Sequence, residues 1–436
     1  MIKTARGQFT KTNKDGTEIV PAAISTTEAM LSSEFVPWCS RIFVEPILDL
    51  IQREDSVDDF TDRVLTLVNP TDWASFVEEG QRQQADVEFD NLRIKLVAAR
   101  VPRQAVSLCF SLLRKCIYST DGDYVNITRY EKSENQLVRR FACNGGNPFT
   151  TDKTCSLIVI NELSREMLMC GSSTGVIRIW DPSFNIHSHD IEDESHMVTA
   201  SHPLCDQTRL STDGRNSTLY DWSQGTGRLI CGGNVRVVRI WDAHYERTVQ
   251  DISIVKKGAA TALSGELDTH HLVAIGFRDG SIHVHDTRLP MKESTIMSLH
   301  EQSQRIVGVA IRSDGNNRAI LAAGSEDGCI CVWEPRMYKE PIVDLSLSKE
   351  SWPQDEMRDF IVHANAQIFG CWMASSQLRV FDISGRSLSS IRQNDFDRGR
   401  PLANMSAVAM HKMRCMIAIG SEDGCINVYG QPKTIL

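Results

Sequence analysis

The segment GSEDGCICVWE, Gly324–Glu334, combines a tight turn with a strand that is apolar on both faces. Asp327-Gly328 supplies the positive-φ residue that a tight hairpin turn needs. The residues that follow it alternate between two faces, and both faces carry apolar side chains. Such a strand is expected to be covered on both sides. The segment therefore predicts one strand of a small antiparallel sheet packed between two others.

The same pattern recurs along the chain at a nearly fixed spacing. Successive clear copies end at residues 181, 242, 286, 334, 382 and 430, which are 61, 44, 48, 48 and 48 residues apart. Units of this length with four short strands are typical of a propeller blade. With a weaker first copy, the units number seven and predict an all-β, seven-bladed propeller. The other copies are Thr120–Tyr130, Gly171–Asp181, Gly232–Asp242, Gly276–Asp286, the degenerate Trp372–Asp382, and Gly420–Gly430.

These units resemble the WD-repeat family, whose signature is a Trp-Asp pair at the end of the third strand of each blade. The resemblance implies a hydrogen-bonded cluster of a loop histidine, a turn aspartate and that tryptophan, here His300, Asp327 and Trp333 in the fifth unit. A His-Asp-Ser grouping also suggests a hydrolase, but no nucleophile elbow accompanies it, so the structural role is favoured. The predicted structural positions are Trp180, Asp181, Trp241, Asp242, Asp279, Asp286, His300, Asp327, Trp333, Asp382 and Asp423.

The part of the chain before the repeats divides into three segments. Residues 1–30 have little apolar content and are predicted to be a disordered leader. Residues 31–87 are predicted to form a short helical extension, because Val57, Phe60 and Val64 recur at helical spacing. This arm needs a surface to cover its apolar stripe, and the propeller itself is the favoured one. A strand at about 88–97 is predicted to close the domain 88–436 by pairing with the last unit.

One connection between units is longer than the others. The 61-residue spacing places the excess in Thr199–Leu219, a polar stretch. Long polar loops on rigid scaffolds often carry function, so Arg209, Asp213 and Arg215 are candidate interaction residues.

Composition excludes several classes of function. The net charge is −9 and the pI about 5.8, so no nucleic-acid partner is predicted. No apolar run reaches the roughly 18 residues of a membrane span, and no secretory signal opens the chain. The 13 cysteines include no C-x-x-C pair, which favours a reduced cytoplasmic protein. No metal ligand set, cofactor or catalytic residue is predicted, and we expect no enzyme activity.

A narrower resemblance lies beside the repeat signature. Tyr220–Ile252, Gly276–Pro290, Trp38–Leu48 and Val380–Arg392 are similar to segments of the Raptor family, the regulatory-associated proteins of the TOR kinase. The likeness includes residues outside the repeat, such as Val249-Gln250-Asp251. Raptor proteins also carry a caspase-like domain and a helical-repeat solenoid, which this sequence lacks. It therefore resembles the C-terminal propeller region of a divergent Raptor.

The Raptor resemblance implies a scaffold of TOR complex 1 that couples nutrient signals to growth control. Its implied partners are the TOR kinase complex and small-GTPase regulators, with recruitment of the cytoplasmic protein to the lysosomal surface. Two alternatives remain open on the residues alone. One is another WD-repeat adaptor, such as a ubiquitin-ligase substrate receptor or a coat component. The other is a propeller hydrolase, which would need convergent catalytic groups in the central channel.

Overall fold

The structure is a computed structural model, and it describes residues 95–111, 114–130, 137–143, 152–160, 166–182, 197–207, 218–255, 257–266, 271–290, 293–299, 304–313, 319–336, 339–347, 355–364, 367–392, 404–412 and 416–430. The predicted leader 1–30 and helical arm 31–87 lie outside these residues. No helix long and apolar enough to cross a membrane occurs in the described part of the chain.

Twenty-eight strands form seven four-stranded antiparallel sheets, which confirms the predicted seven-bladed propeller. Blade 1 holds β2–β5, blade 2 β6–β9, blade 3 β10–β13, blade 4 β14–β17, blade 5 β18–β21 and blade 6 β22–β25. Blade 7 holds β26–β28 and β1.

The first six blades run in sequence order from first strand to fourth. Their strands are β2 Ser107–Phe110, β3 Cys116–Thr120, β4 Tyr124–Arg129, β5 Leu137–Ala142, β6 Thr154–Ile160, β7 Met167–Ser172, β8 Ile177–Trp180, β9 Met197–Ser201, β10 Leu219–Ser223, β11 Arg228–Gly232, β12 Val237–Asp242, β13 Arg247–Ser253, β14 Ala260–Gly265, β15 Leu272–Phe277, β16 Ile282–Asp286, β17 Thr295–Leu299, β18 Ile306–Ser313, β19 Ala319–Ser325, β20 Cys329–Trp333, β21 Val343–Ser346, β22 Met357–Val362, β23 Ile368–Met373, β24 Gln377–Asp382 and β25 Ser387–Arg392.

Blade 7 joins the two ends of the domain. Its first three strands are β26 Met405–Met410, β27 Met416–Ser421 and β28 Cys425–Gly430, and its fourth is β1, Lys95–Arg100. β1 pairs antiparallel with β28, from Lys95 opposite Tyr429 to Arg100 opposite Cys425. The closing strand lies in the blade that the sequence predicts, and it ends at Arg100. The predicted residues 88–94 lie outside the described part.

The first strand of every blade contacts the first strands of the neighbouring blades, so the ring closes around a central channel. Apolar side chains from adjacent sheets fill the spaces between blades. Seven clusters of buried residues lie there, and one of them joins blade 7 to blade 1 through Ala407, Val428 and Leu108. Burial from both sides explains why the third strands are apolar on both faces.

The strand directions define two faces of the ring. We call the face with the turns between second and third strands, and with the connections between blades, the upper face. The lower face carries the turns between third and fourth strands. Gly280, Gly328 and Gly424 occupy upper-face turns with φ of 80°, 82° and 80°, as their Asp-Gly sequences predict. Ser376 holds the equivalent place in blade 6 with φ of 58°, a conformation that a residue with a Cβ seldom adopts.

The outer strands carry a recurrent irregularity. In blade 3, Ile240 pairs with Gln250 and Trp241 with Thr248, so Val249 is an extra, unpaired residue. The same shift occurs at the corresponding place in blades 1, 2, 4, 6 and 7. Bulges of this kind twist an edge strand and hinder its pairing with another chain. The outer strands of these six blades are therefore poorly suited to accept an added strand, whereas β21 of blade 5 pairs with β20 without a bulge.

Candidate interaction surfaces

The tryptophans of the repeat signature are core residues. Trp180 and Trp241 are buried against the preceding blade, and the Trp180 ring centroid lies 5.1 Å from that of Phe141 in blade 1. Trp333 is completely buried between blades 4 and 5. These side chains hold adjacent blades together, so none of the three is available to a partner.

The aspartates of the signature fall into two structural groups. Asp242, Asp286 and Asp382 end third strands and accept backbone N–H groups of the lower-face turns. Asp242 Oδ1 accepts hydrogen bonds from the amides of His244 at 3.0 Å and Tyr245 at 3.1 Å. Side-chain acceptors of this kind fix tight turns. Asp181 also follows a third strand and is partly buried.

The second group of aspartates lies in upper-face turns. Asp279 Oδ1 accepts the Ser281 amide at 3.0 Å, and Asp423 accepts the Ser421 hydroxyl at 2.5 Å. Asp327 accepts the Ser325 hydroxyl and the Cys329 amide. His300 lies outside the described residues, and the Trp333 indole nitrogen has no hydrogen-bond partner within the described part. The cluster of His300, Asp327 and Trp333 therefore stays a prediction.

The long connection between blades 2 and 3 begins and ends on the upper face. Its residues 202–207 and 218 are described, and they pack against both neighbouring blades. Leu204 is buried, and His202 Nε2 lies 3.2 Å from the Thr174 carbonyl oxygen. At the other end, Thr218 Oγ1 donates to the Ser173 carbonyl at 3.0 Å. Both ends of the loop are thus held against the Ser173-Thr174 turn of blade 2. The candidate residues Arg209, Asp213 and Arg215 lie outside the described part.

Arg239 of β12 clamps the start of this connection. Its Nε and Nη2 donate to the Asp251 carboxylate at 2.8 and 2.7 Å. Its Nη1 and Nη2 donate to Asp206 at 2.6 and 2.9 Å, and Nη1 also reaches the Pro203 carbonyl at 2.7 Å. These hydrogen bonds from Arg239 lower the pKa of Asp206. Bidentate pairs of this type fix geometry as well as adding energy.

Blade 2 contains the same device in simpler form. Arg178, which is two residues before the tryptophan as Arg239 is, donates to Asp152 at 2.7 Å. Burial alone would raise the pKa of Asp152, but hydrogen bonds from Thr174, Ser172 and Arg178 outweigh it and lower that pKa. Neither clamp is predicted by the sequence patterns. Their signal is the shared Arg-Ile-Trp-Asp run, but the aspartate partners are 26 and 33 residues away in the chain.

A small recess lies between these anchored segments. It is lined by Ser173, Thr174, Leu204, Gln207, Thr218, Asn234 and Val235, and its volume is about 30 Å³. That volume holds one or two water molecules and is far below that of a substrate site. No three His, Cys, Asp or Glu side chains of the described residues converge as a metal site requires. The recess and the anchored segments around it form a rigid surface. Such a surface suits recognition of a binding partner.

A second surface lies on the lower side of blades 3–5. Each of these blades exposes large apolar side chains in the turn before its fourth strand or at that strand's start. Together they form what we call the lower patch: Tyr245, Val249, Leu289, Ile296 and Ile342. Tyr245 is 56% exposed, and the Arg247 guanidinium lies 4.9 Å from its ring centroid. Exposed tyrosine beside arginine is common in protein interfaces.

Comparison with known proteins agrees with this geometry. The profile of the family "WD domain, G-beta repeat" matches residues 292–334, within the fourth and fifth units. The crystal structure of Chaetomium thermophilum Raptor superposes with a TM-score of 0.63 at 24% identity, covering 77% of this chain and 29% of that one. This structural likeness supports the propeller fold.

Sequence relatives are consistent with it. Target of rapamycin complex 1 subunit KOG1 of Saccharomyces cerevisiae is 26% identical over 92% of this chain and 26% of its own length. Target of rapamycin complex 1 subunit mip1 of Schizosaccharomyces pombe is 27% identical over 72% of this chain and 22% of its own. The Protein raptor homolog of Dictyostelium discoideum is 24% identical over 70% and 19%. This chain thus spans 19–26% of the length of these relatives, and it is a seven-bladed β-propeller that is similar to proteins named as Raptor or as subunits of target of rapamycin complex 1.

Proposed function

We propose that this chain is a non-catalytic scaffold of TOR complex 1 that couples nutrient signals to growth control in the cytoplasm. One observation carries the proposal: relatives named as subunits of that complex match 72–92% of the chain. The architecture is in keeping with it, because the signature aspartates cap turns and the signature tryptophans pack between blades. These groups serve the rigidity of the ring, which a docking platform needs.

The finer parts of the proposal concern partners and place. We assign the TOR kinase complex and its small-GTPase regulators as partners, with recruitment to the lysosomal surface. The long connection of blades 2 and 3 is the proposed contact, since Arg239 and Thr218 hold both its ends on the upper face. A loop fixed at its base loses less conformational entropy when it binds.

Affinity capture from cell extract tests the proposal. The full chain is compared with the variant Arg209→Ala/Asp213→Ala/Arg215→Ala, and bound proteins are quantified by mass spectrometry. The matched control is Glu356→Ala/Arg358→Ala, which removes an exposed ion pair with an N–O distance of 3.3 Å. We expect the full chain and the control to capture the TOR kinase equally well. The loop variant should capture at least fivefold less TOR kinase than the full chain.

Other outcomes separate the parts of the proposal. Equal capture by all three chains would remove the loop from the interface and leave complex membership standing. Ubiquitin-ligase or coat subunits in place of the TOR kinase would overturn the TOR assignment. Turnover of ester, glycoside or phosphate substrates by the purified chain would overturn the non-catalytic assignment.

A further inference from the structure

The path of the chain places the N-terminal segment at the lower face. β1 is the fourth strand of blade 7, and Lys95 at its start pairs with Tyr429 at the end of β28. Third strands end at the lower face, so the preceding 94 residues reach the ring on that face. The lower patch on blades 3–5 faces the same way.

The lower patch exposes apolar side chains on three successive blades. Ile342 is 61% exposed, Val249 42% and Leu289 38%. Val249 and Ile296 are the extra residues of the bulges in β13 and β17. The equivalent residue of blade 6, Leu388, is buried. Exposure at this position is therefore a property of particular blades and not of the repeat.

Exposed cationic side chains lie beside the patch. Arg247 packs on Tyr245, and the Arg288 side chain is 61% exposed beside Leu289 but is paired with the Asp286 carboxylate at 2.7 Å. Arg336 and Lys339 precede Ile342 and are exposed. Exposed Glu293 and Glu340 offset part of this charge.

The sequence before the propeller contains a segment with complementary properties. Val57, Phe60, Val64 and Val68 recur at helical spacing and form one apolar stripe. The acidic side chains Asp55, Asp58, Asp59 and Asp62 lie on the other side of the predicted helix and would face solvent when the stripe is covered. An amphipathic helix of this length cannot bury its stripe alone. It needs an apolar surface to cover it.

We propose that the predicted helix at residues 55–68 docks its apolar stripe on the lower patch of its own propeller. The length of the chain permits this. Four strands spaced about 4.8 Å apart give a blade about 15 Å wide, so the ring is on the order of 40 Å across. The 27 residues from Val68 to Lys95 span up to about 90 Å when extended. Helix within that stretch shortens the reach but leaves it sufficient.

Photo-cross-linking in the full chain tests this contact. The photoreactive residue p-benzoylphenylalanine replaces Tyr245, and cross-linked peptides are identified by mass spectrometry. The control position is Val106, which is 44% exposed just before β2 on the upper face. We expect intramolecular cross-links from position 245 to a peptide containing residues 55–68, and none of that peptide from position 106.

A matched pair of substitutions tests the stripe. Val64→Asp puts a charge on the apolar stripe, whereas Thr66→Asp adds the same charge on the opposite face of the predicted helix. We expect Val64→Asp to lower the cross-link yield at least tenfold and Thr66→Asp to change it less than twofold. Neither change lies in the propeller, so the melting temperature of the ring monitors that it remains folded.

Three results would overturn the proposal. Cross-links from position 245 to a second copy of the chain would make the patch a dimer contact. Cross-links only to other segments of the same chain would assign it a different occupant. Failure of position 245 to cross-link to any peptide, with incorporation of p-benzoylphenylalanine verified by mass spectrometry, would leave the patch uncovered. None of these results bears on membership of TOR complex 1, which is tested separately by affinity capture.

Discussion

Replacing Arg239 tests whether one side chain fastens the long connection to blade 3. The guanidinium is 7% exposed and makes five hydrogen bonds, four of them to the carboxylates of Asp206 and Asp251. Arg239→Met keeps the apolar stem and removes the donors. Breaking a fully buried pair costs about 3–5 kcal/mol, and the Asp206 side chain is 55% exposed, so we expect about 3 kcal/mol.

The expected shift in melting temperature follows from the size of the ring. At ~2.1 cal/mol/K per residue over roughly 340 residues, the unfolding entropy is about 0.7 kcal/mol/K. A loss of about 3 kcal/mol then lowers the melting temperature by about 4 °C, measurable by scanning calorimetry. Asp206→Asn alone should cost about 1 kcal/mol, since it loses a charge-assisted pair at the surface.

The double variant decides whether the two residues act together. If Arg239 stabilises the connection through Asp206, Asp206→Asn costs almost nothing in the Arg239→Met background, a coupling of about 1 kcal/mol. Native-state proteolysis should at the same time cut residues 202–218 faster in Arg239→Met. A melting temperature within 1 °C of wild type, or equal effects of Asp206→Asn in both backgrounds, would refute the clamp.

Three further substitutions have expected outcomes in thermal melts. His285→Phe introduces the aromatic residue that blade 6 has in the same slot. Burial, and then the neighbouring His283, lower the pKa of His285 to about 4, so protonation of this group costs the wild-type fold up to about 3 kcal/mol of stability as the pH falls from 6.5 to 4. The variant should lack this contribution to acid destabilisation. An unchanged pH dependence would contradict this. Ser376→Gly should raise the melting temperature by about 1 °C, because glycine accepts its φ of 58° without strain; a decrease would show that the serine is unstrained there. Gly424→Ala should lower the melting temperature by more than 4 °C, since the new Cβ would lie 2.3 Å from a backbone oxygen of the closing segment. Gly258 has a similar φ, but no atom lies within 4 Å of an added Cβ, so Gly258→Ala should cost only the backbone strain. Equal losses in the two glycine variants would exclude the clash as the cause.

The sequence by itself determined the number of blades, the third strand of each, and the blade that the N-terminal strand completes. These features depend on local chemistry: a glycine that accepts positive φ, alternation that places apolar groups on both faces, and a fixed spacing between copies. The structure agrees at Gly280, Gly328 and Gly424, and in the pairing of β1 with β28.

Only the tertiary structure decided which groups meet across blades. Arg239 reaches Asp206 over 33 residues of chain because β12 and the long connection are neighbours in space, and no periodicity in the sequence records that distance. The exposure of Val249 and the burial of Leu388 at the same bulge position also depend on what the surrounding elements cover. Sequence patterns encode local geometry, whereas ion pairs between blades and exposed patches depend on the packing of the whole ring.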